Sequence, residues 1–155
     1  MKVGLVLLRF LYSAYRIYLF LVRPVRLGVR IMMIKDGQVL LVRQTYMPGW
    51  FMPGGGLKRG ETLEGAARRE IREETGAELG SLQLLGVYTN FKEWKTDHNA
   101  LFLTRDFAMS GAPDTEIAEL RFFPLDSLPE DLWPGHRQRL AELQAGAEHP
   151  QFGEW

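Results

Sequence analysis

Residues 55–77 constrain the fold of this chain more than any other segment, because a glycine-rich loop there runs directly into a glutamate-rich stretch. The segment reads GGLKRGETLEGAARREIREETGA. Apolar residues recur at four-residue intervals from Leu63 to Ile71, and this spacing predicts an amphipathic helix over residues 62–75. Gly76 stands where a helix-terminating glycine is expected. The segment therefore predicts a loop followed at once by a helix.

The predicted helix places three carboxylates on one face. Glu70, Glu73 and Glu74 are spaced by three and four residues, which brings their side chains to the same side. Like charges at this spacing repel one another, so a solvated acidic surface is one interpretation. The alternative is a metal site, because oxygen ligands without histidine or cysteine suit Mg²⁺ or Mn²⁺. The preceding loop favours the metal site, since its glycines let backbone groups approach a ligand closely.

The same residues resemble the signature of the Nudix hydrolase family. The signature runs from Gly55 over five residues to Glu61, and over seven more to REIREETGA at residues 69–77. Every strictly typed position matches, and the one departure is Ala77, which is small where the family usually has a bulky aliphatic residue. The resemblance implies an α+β fold with a mixed β-sheet sandwiched between helices. It also implies metal-dependent hydrolysis of a diphosphate linkage in a nucleoside diphosphate joined to another group.

The resemblance also implies roles for single residues. Glu70, Glu73 and Glu74 are the implied metal ligands, and the backbone carbonyl of Gly55 is a further one. One of the three glutamates is implied to act instead as a base through a water molecule, and Glu73 is our candidate. Arg69 lies four residues before Glu73 and is expected to orient a carboxylate by paired hydrogen bonds. Mg²⁺ is the expected cofactor, with Mn²⁺ as the alternative.

Three acids outside the predicted helix face are further candidates. Glu61, at the junction of loop and helix, either holds the loop or reaches metal-bound water, or is simply an acid favoured at a helix N-terminus. Glu116 and Glu119 precede a predicted strand, in a region where the family often places a base or an additional ligand. We select Glu116 as the catalytic candidate, and a solvated loop acid is the alternative.

Substrate recognition is less sharply indicated. Arg43 ends a predicted strand and is a candidate ligand for phosphate or base. Trp50 and Phe51 precede the glycine-rich loop and are candidates to stack on a base, although aromatic residues beside a strand are equally expected in the core. His136 and His149 carry no motif and are expected to be exposed.

The remaining sequence predicts strands around the central helix. Residues 28–35 and 38–44 are predicted to form a hairpin through Asp36-Gly37, a strong signal for a two-residue turn. Further elements are predicted from their apolar patterns: strands at 81–88, 100–107 and 119–123, and a helix over 134–143. The predicted organisation is an extension at 1–27, a hydrolase domain at 28–145 and a loose tail at 146–155.

The first segment is apolar but carries regularly spaced cations. Basic residues at Lys2, Arg9, Arg16 and Arg23 recur every seven positions and would form one stripe along a helix. Two arginines inside the apolar run 3–22 would cost about 2.5–3.5 kcal/mol each in a bilayer, which argues against a transmembrane span. Two interpretations stay open: the helix packs on its own domain or on a homodimer partner, or it lies on an anionic membrane surface. Pro24 is expected to end the helix.

The net charge of the chain is zero, but the charge changes from positive to negative along the sequence. Residues 1–35 carry seven basic residues and no acid, residues 36–105 nine of each, and residues 106–155 three basic and ten acidic. The balance gives no reason to expect a nucleic-acid partner. No cysteine is present, which excludes disulfides, a cysteine nucleophile and thiolate metal sites. We expect a cytoplasmic protein, with membrane association through residues 1–23 left open.

Three functions follow from these observations. The leading prediction is a pyrophosphohydrolase of an ADP-sugar-like or related small nucleotide. The first alternative is a nucleoside triphosphate pyrophosphohydrolase that removes unwanted nucleotides. The second is a nucleotide-sensing module without turnover, although such a module usually loses a glutamate or the arginine of the signature.

Overall fold

The computed structural model describes residues 14–18, 20–147 and 150–155. They form an α+β fold in which a mixed sheet lies between helices, as predicted. Beside the helical residues 14–18 and 20–22, the described chain contains the helices α1 (Leu63–Thr75) and α2 (Pro134–Gln144) and a 3-10 turn over Lys92–Trp94. The strands are β1 (Val25–Lys35), β2 (Gln38–Gln44), β3 (Ala77–Leu79), β4 (Gln83–Asn90), β5 (Thr96–Thr104), β6 (Phe107–Met109), β7 (Ile117–Pro124) and β8 (Gln151–Glu154).

Within the described residues, six strands form the main sheet in the order β7-β2-β1-β5-β4-β8. β1 is antiparallel to β2 and parallel to β5, while β4 is antiparallel to β5 and parallel to β8. β3 and β6 pair in a small separate sheet. The long β1–β5 pair, from Val25 opposite Thr96 to Met33 opposite Thr104, is the centre on which the functional elements are placed.

Alternating residues of β1 build the two halves of the core. Val29 and Ile31 point to one side of the sheet and pack with Ile71 of α1, whereas Met32 points to the other side and packs with Leu140 of α2. All five side chains are fully buried, and each such burial stabilises the fold by about 1.5–3 kcal/mol. Because Ile71 is fixed in this way, the glutamate face of α1 has a fixed direction.

The predictions that depend on local sequence are confirmed. Lys35 pairs with Gln38 across a turn in which Asp36 and Gly37 have φ values of 51° and 73°. Helix α1 begins after Thr62, whose hydroxyl accepts a hydrogen bond from the Gly65 N–H at 3.0 Å. It ends at Gly76, which has a φ of 68°.

Several boundaries differ from the predicted ones. β1 begins at Val25 rather than residue 28, and the strand predicted over 100–107 begins at Thr96 and ends at Thr104. Residues 14–18 and 20–22 are helical, as predicted, and most of the remaining predicted N-terminal helix lies outside the described residues. In the described part of the chain, no helix has the length and apolar character needed to cross a membrane.

The C-terminal prediction was wrong. Residues 151–154 form β8, which pairs in parallel with β4, instead of a loose tail. The Trp155 N–H donates to the Thr89 carbonyl at 2.8 Å, and the indole packs on the rings of Tyr88 and His136. His136 is therefore only 2% exposed, contrary to expectation, whereas His149 lies outside the described residues.

His136 connects the C-terminus to the segment before the glycine-rich loop. Its Nδ1 accepts a hydrogen bond from the Met52 N–H at 2.7 Å, and Phe51, Trp133 and Trp155 surround the ring. Burial holds the pKa of His136 well below its usual range, so the ring stays neutral at neutral pH. The neutral ring can keep accepting this hydrogen bond.

Trp155→Ala is expected to destabilise the protein by about 2 kcal/mol, because it removes the indole that covers Tyr88 and His136. Phe152→Ala is the matched control, since Phe152 is on the same terminal strand but 81% exposed. Urea unfolding of the full chain measures both. Equal losses for the two variants would show that Trp155 does not contribute through these contacts.

Candidate active site

The glycine-rich loop lies along β1 and is held there by backbone hydrogen bonds. The Val29 N–H donates to the Gly55 carbonyl and the Ile31 N–H to the Pro53 carbonyl, both at 2.9 Å. Gly54 has a φ of 136°, and a side chain at this position would overlap the Val29 carbonyl. Only glycine allows the chain to run this close to β1.

Glu70 approaches the loop from α1. A Cβ atom on Gly55 would lie 2.5 Å from Glu70 Oε1, so the absence of a side chain at Gly55 makes room for this carboxylate. The predicted ligands Gly55 and Glu70 are therefore adjacent. The first residue of the signature meets its helix here, because the loop is fixed by β1 and the helix by its buried face.

Arg69 is the centre of the ionic network. Its guanidinium donates to both carboxylate oxygens of Glu61, at 2.8 and 2.9 Å, and to the Gly56 carbonyl at 3.1 Å. It also donates to Glu70 at 2.7 Å and to Glu73 at 3.1 Å through Nη1. Arg69 thus joins the loop to two of the three helix carboxylates, as an orienting residue should.

Glu61 has the loop-holding position that was one of its two predicted roles. The paired hydrogen bonds from Arg69, together with one from the Lys58 N–H at 3.0 Å, lower the pKa of Glu61 to about 2. The same contact with Glu61, followed by those with Glu70 and Glu73, raises the pKa of Arg69. Glu61 is consequently a permanent anion that closes the loop onto α1.

Glu74 differs from the other two helix carboxylates because it is buried. Only 8% of the residue is exposed, and its Oε2 accepts a hydrogen bond from the Gly54 N–H at 2.7 Å. Burial raises the pKa of Glu74 to about 7, against the opposing effects of the Gly54 hydrogen bond and the positive charge of Arg30. A cation bound beside Glu74 would favour its ionised form.

Arg30 is a functional candidate that the sequence reasoning missed. Its Nη1 donates to the carbonyls of Gly54 at 2.6 Å and Met52 at 3.3 Å, so Arg30 holds the loop from the side of β1. Burial lowers the pKa of Arg30, while Glu74 and Glu70 raise it, and the guanidinium stays charged. The available signal was a basic residue at the centre of an apolar strand, GVRIMMIK.

In the metal-free protein, Glu74→Gln is expected to increase stability at alkaline pH. The folded-state pKa of Glu74 is about 7 and its usual value is 4.5, so the folded state loses stability as the pH rises between these values. The full effect is on the order of 2–3 kcal/mol above pH 7. In urea unfolding with a chelator, the free energy of unfolding of the variant should increase relative to that of wild type from pH 4.5 to 8. A stability difference that does not change with pH would contradict the burial of an ionisable Glu74.

Glu116 lies in a loop that docks against the C-terminal end of α1. The Asp114 N–H donates to the Glu73 carbonyl at 2.9 Å, and the Thr45 N–H donates to the Glu116 carbonyl at the same distance. Burial first, and then the charges of Glu116 and Glu74, raise the pKa of Tyr46. The hydrogen bond to the Glu73 carbonyl places this loop beside α1. Tyr46 is a further candidate, because it lies two residues after Gln44, which donates to Glu74 at 3.5 Å, and the sequence reasoning did not select it.

The residues predicted to bind substrate, Trp50, Phe51 and Arg43, are not free to do so in this structure. Trp50 and Phe51 are 3% and 7% exposed and belong to the core, where Trp50 packs edge-on against Phe123. Their burial favours the core interpretation over base stacking. Arg43 is partly exposed, but it donates to Asp131 at 3.1 Å, so it would have to exchange this carboxylate for a phosphate.

Two cavities flank the acidic cluster. One of about 220 Å³ lies between β1, the glycine-rich loop and β5, and its lining includes Arg26, Gly55 and Asn99. The other, of about 470 Å³, is lined by residues 43–49 and Asp131. Each cavity includes a residue that contacts the cluster: Gly55 lies against Glu70, and Gln44 donates to Glu74 at 3.5 Å.

The donor set fits a hard divalent cation. It consists of carboxylate oxygens and the Gly55 carbonyl, which has a second lone pair beside the one used by Val29. Among the described residues, no group of three acidic or histidine side chains already has the geometry to hold a metal. Arg69 Nη1 lies between the Glu70 and Glu73 carboxylates instead.

Comparison with known proteins decides the family. The family model described as the NUDIX domain matches residues 24–143, which include β1 to β7, α1 and most of α2. The chain belongs to the Nudix hydrolase family. The resemblance seen in residues 55–77 is thereby confirmed, and the Nudix signature corresponds to the loop and helix described above.

Individual Nudix relatives agree with this assignment. A Bacillus subtilis (strain 168) protein with the provisional name 8-oxo-dGTP diphosphatase is 31% identical over 118 residues, covering 76% of this chain and 78% of that protein. An ADP-ribose pyrophosphatase of Methanocaldococcus jannaschii is 35% identical over 101 residues, covering 62% of this chain and 60% of that protein. The crystal structure of a MutT Nudix hydrolase from Burkholderia pseudomallei superposes with a TM-score of 0.70 at 28% identity, covering 77% and 98% of the two chains.

Proposed function

We propose that this Nudix hydrolase uses Mg²⁺ to cleave a diphosphate linkage in a nucleoside diphosphate joined to another group. The observation that carries the proposal is the cluster in which Glu70 lies against Gly55, Glu74 accepts from Gly54 and Arg69 joins the loop to Glu73. A nucleotide-sensing module without turnover is less well supported, because all these groups are present.

The metal would be held by Glu70, Glu73, Glu74 and the Gly55 carbonyl, with Mn²⁺ as an alternative ion. When bound, it would neutralise phosphate oxygens and favour attack of water at phosphorus. Glu74 must be ionised to take part, so binding near neutral pH should release a proton from this buried carboxyl.

The protein's own residues have separate tasks in this proposal. Arg69 keeps the Glu70 and Glu73 carboxylates at the loop, and Arg30 fixes the loop carbonyls from the other side. In the alternative arrangement the half-exposed Glu73 is not a metal ligand but the base that accepts a proton from the attacking water. Glu116 is the second candidate, because its exposed position near Tyr46 allows it to accept a proton without competing with the ligands.

The part of the substrate beyond the diphosphate would lie in the 220 Å³ cavity beside Gly55, where Arg26 and Asn99 offer hydrogen-bond donors. The relative that is an ADP-ribose pyrophosphatase supports a nucleoside diphosphate derivative. The Bacillus relative supports a second candidate, hydrolysis of a nucleoside triphosphate to the nucleoside monophosphate and inorganic pyrophosphate. We favour the first because the cavity on the Gly55 side is partly enclosed by three elements.

A substrate panel tests the proposal. Nucleoside diphosphate sugars, other nucleoside diphosphate derivatives and nucleoside triphosphates should each be incubated with Mg²⁺ or Mn²⁺, and products identified by mass. We expect cleavage between the two phosphates of a diphosphate derivative. Preferential cleavage of triphosphates would favour the second candidate, and no cleavage of any compound with either metal would overturn both.

A further inference from the structure

Among the described residues, the segment before β1 and the start of β1 present an exposed apolar surface. We call it the N-terminal face, and its apolar side chains are each 49–73% exposed: Ile17, Tyr18, Phe20, Leu21, Val22 and Val25. Single exposed apolar residues are ordinary, but a contiguous group of this size marks an interaction surface. The edge of the face includes Trp94, which packs edge-on against Phe20 and is 43% exposed.

Three arginines are interleaved with these apolar residues. Arg16 lies 5.2 Å from the Trp94 ring centre and Arg23 lies 5.9 Å from that of Phe20, while Arg26 donates to the Tyr15 hydroxyl at 2.8 Å. None of the three is paired with a carboxylate among the described side chains, and residues 14–35 contain no acid. The acidic last third of the chain therefore does not neutralise them within the described part of the molecule.

The N-terminal face combines apolar and aromatic side chains with arginines that no described carboxylate pairs. This composition favours a lipid bilayer over a protein as its partner. A protein partner would have to supply a carboxylate for each guanidinium that the interface buries, because an unpaired buried charge is costly. An anionic bilayer instead offers phosphates over its whole surface, above an apolar layer that accepts the neighbouring side chains. Tyr and Trp are favoured at that boundary, and arginine side chains reach from it to the headgroups.

We propose that the N-terminal face docks peripherally on an anionic lipid bilayer. Arg16, Arg23 and Arg26 would contact headgroup phosphates, and Phe20 and Leu21 would enter the apolar layer. Arg26 also lines the cavity beside Gly55, so docking would bring the mouth of that cavity near the membrane surface. The docking proposal does not depend on the substrate of the enzyme.

Cosedimentation of the full chain with vesicles tests the proposal. We expect binding to vesicles containing about one-third phosphatidylglycerol, little binding to pure phosphatidylcholine, and release in high salt. Arg16→Glu combined with Arg23→Glu should weaken binding at least about tenfold, since each basic residue contributes about fivefold. Arg105→Glu combined with Arg137→Glu is the matched control, because it changes the net charge equally at exposed positions elsewhere.

A second pair of variants protects the test against misfolding. Phe20→Ser combined with Leu21→Ser should also weaken vesicle binding, while the melting temperature of both variant pairs stays within a few degrees of wild type, because these side chains are exposed. The proposal is overturned if wild type binds neither vesicle, or if the control pair loses as much binding. A third result would also overturn it: wild type is a dimer that does not bind vesicles, and the Phe20→Ser, Leu21→Ser variant is a monomer. The N-terminal face would then be covered by a second copy of the chain.

Discussion

Glu73→Gln is expected to lower Mg²⁺-dependent turnover roughly a thousandfold or more and to leave the fold intact. The substitution removes a negative charge from the cluster but preserves the size of the side chain. The half-exposed Glu73 carboxylate contacts the side chains of Arg69 and Lys58, so its loss costs little stability. Steady-state hydrolysis of the substrate identified in the panel measures the effect.

Glu64→Gln is the matched control for this prediction. Glu64 is on the same helix and is also paired with an arginine, Arg68, but it lies in the first turn and its side chain is 63% exposed. We expect its turnover to stay within about twofold of wild type. Turnover of Glu73→Gln near the wild-type rate would remove Glu73 from the proposed site.

Arg69→Lys is expected to lower turnover about a hundredfold while the positive charge is retained. Arginine here donates to Glu61, Glu70 and Glu73 at the same time, and the compact ammonium of lysine cannot keep this fork of hydrogen bonds. The carboxylates would lose their fixed orientation, so higher concentrations of Mg²⁺ should recover part of the loss. Turnover as a function of Mg²⁺ concentration distinguishes this positioning role from a general loss of stability.

Arg72→Lys provides the comparison for Arg69→Lys. Arg72 is on the same helix and makes paired hydrogen bonds with a single carboxylate, Glu78, outside the cluster. The substitution should change neither turnover nor its Mg²⁺ dependence by more than about twofold. A similar loss in both variants would mean that Arg69 acts through helix stability alone.

The parts of the site that could be predicted are those whose information is local. Residues 55–77 contain the glycines, the helix periodicity and the carboxylate spacing in one continuous segment. The approach of Glu70 to Gly55 follows once that helix packs through Ile71. The role of Arg30 could not be predicted, because its partners Gly54 and Glu74 are more than 20 residues away in sequence and meet it only in the folded sheet.

The differences from prediction have the same origin. Trp50 and Phe51 are aromatic residues beside a strand, and their burial depends on Phe123 and His136, which are distant in sequence. The four residues of β8 are too few to show a periodicity, and they form a strand because β4 offers an open edge. The burial of His136 follows from the same terminal segment, so one missed strand accounts for both corrections.

One measurement tests most directly the central claim that the carboxylate cluster carries metal-dependent diphosphate cleavage. Wild type and Glu73→Gln should be incubated with the panel substrate in ¹⁸O-labelled water, with a chelator or with Mg²⁺, and the products analysed by mass spectrometry. The account predicts a single labelled phosphate product for wild type with Mg²⁺, and essentially none with chelator or in the variant. Equal label incorporation in the chelated wild type or in Glu73→Gln would contradict it.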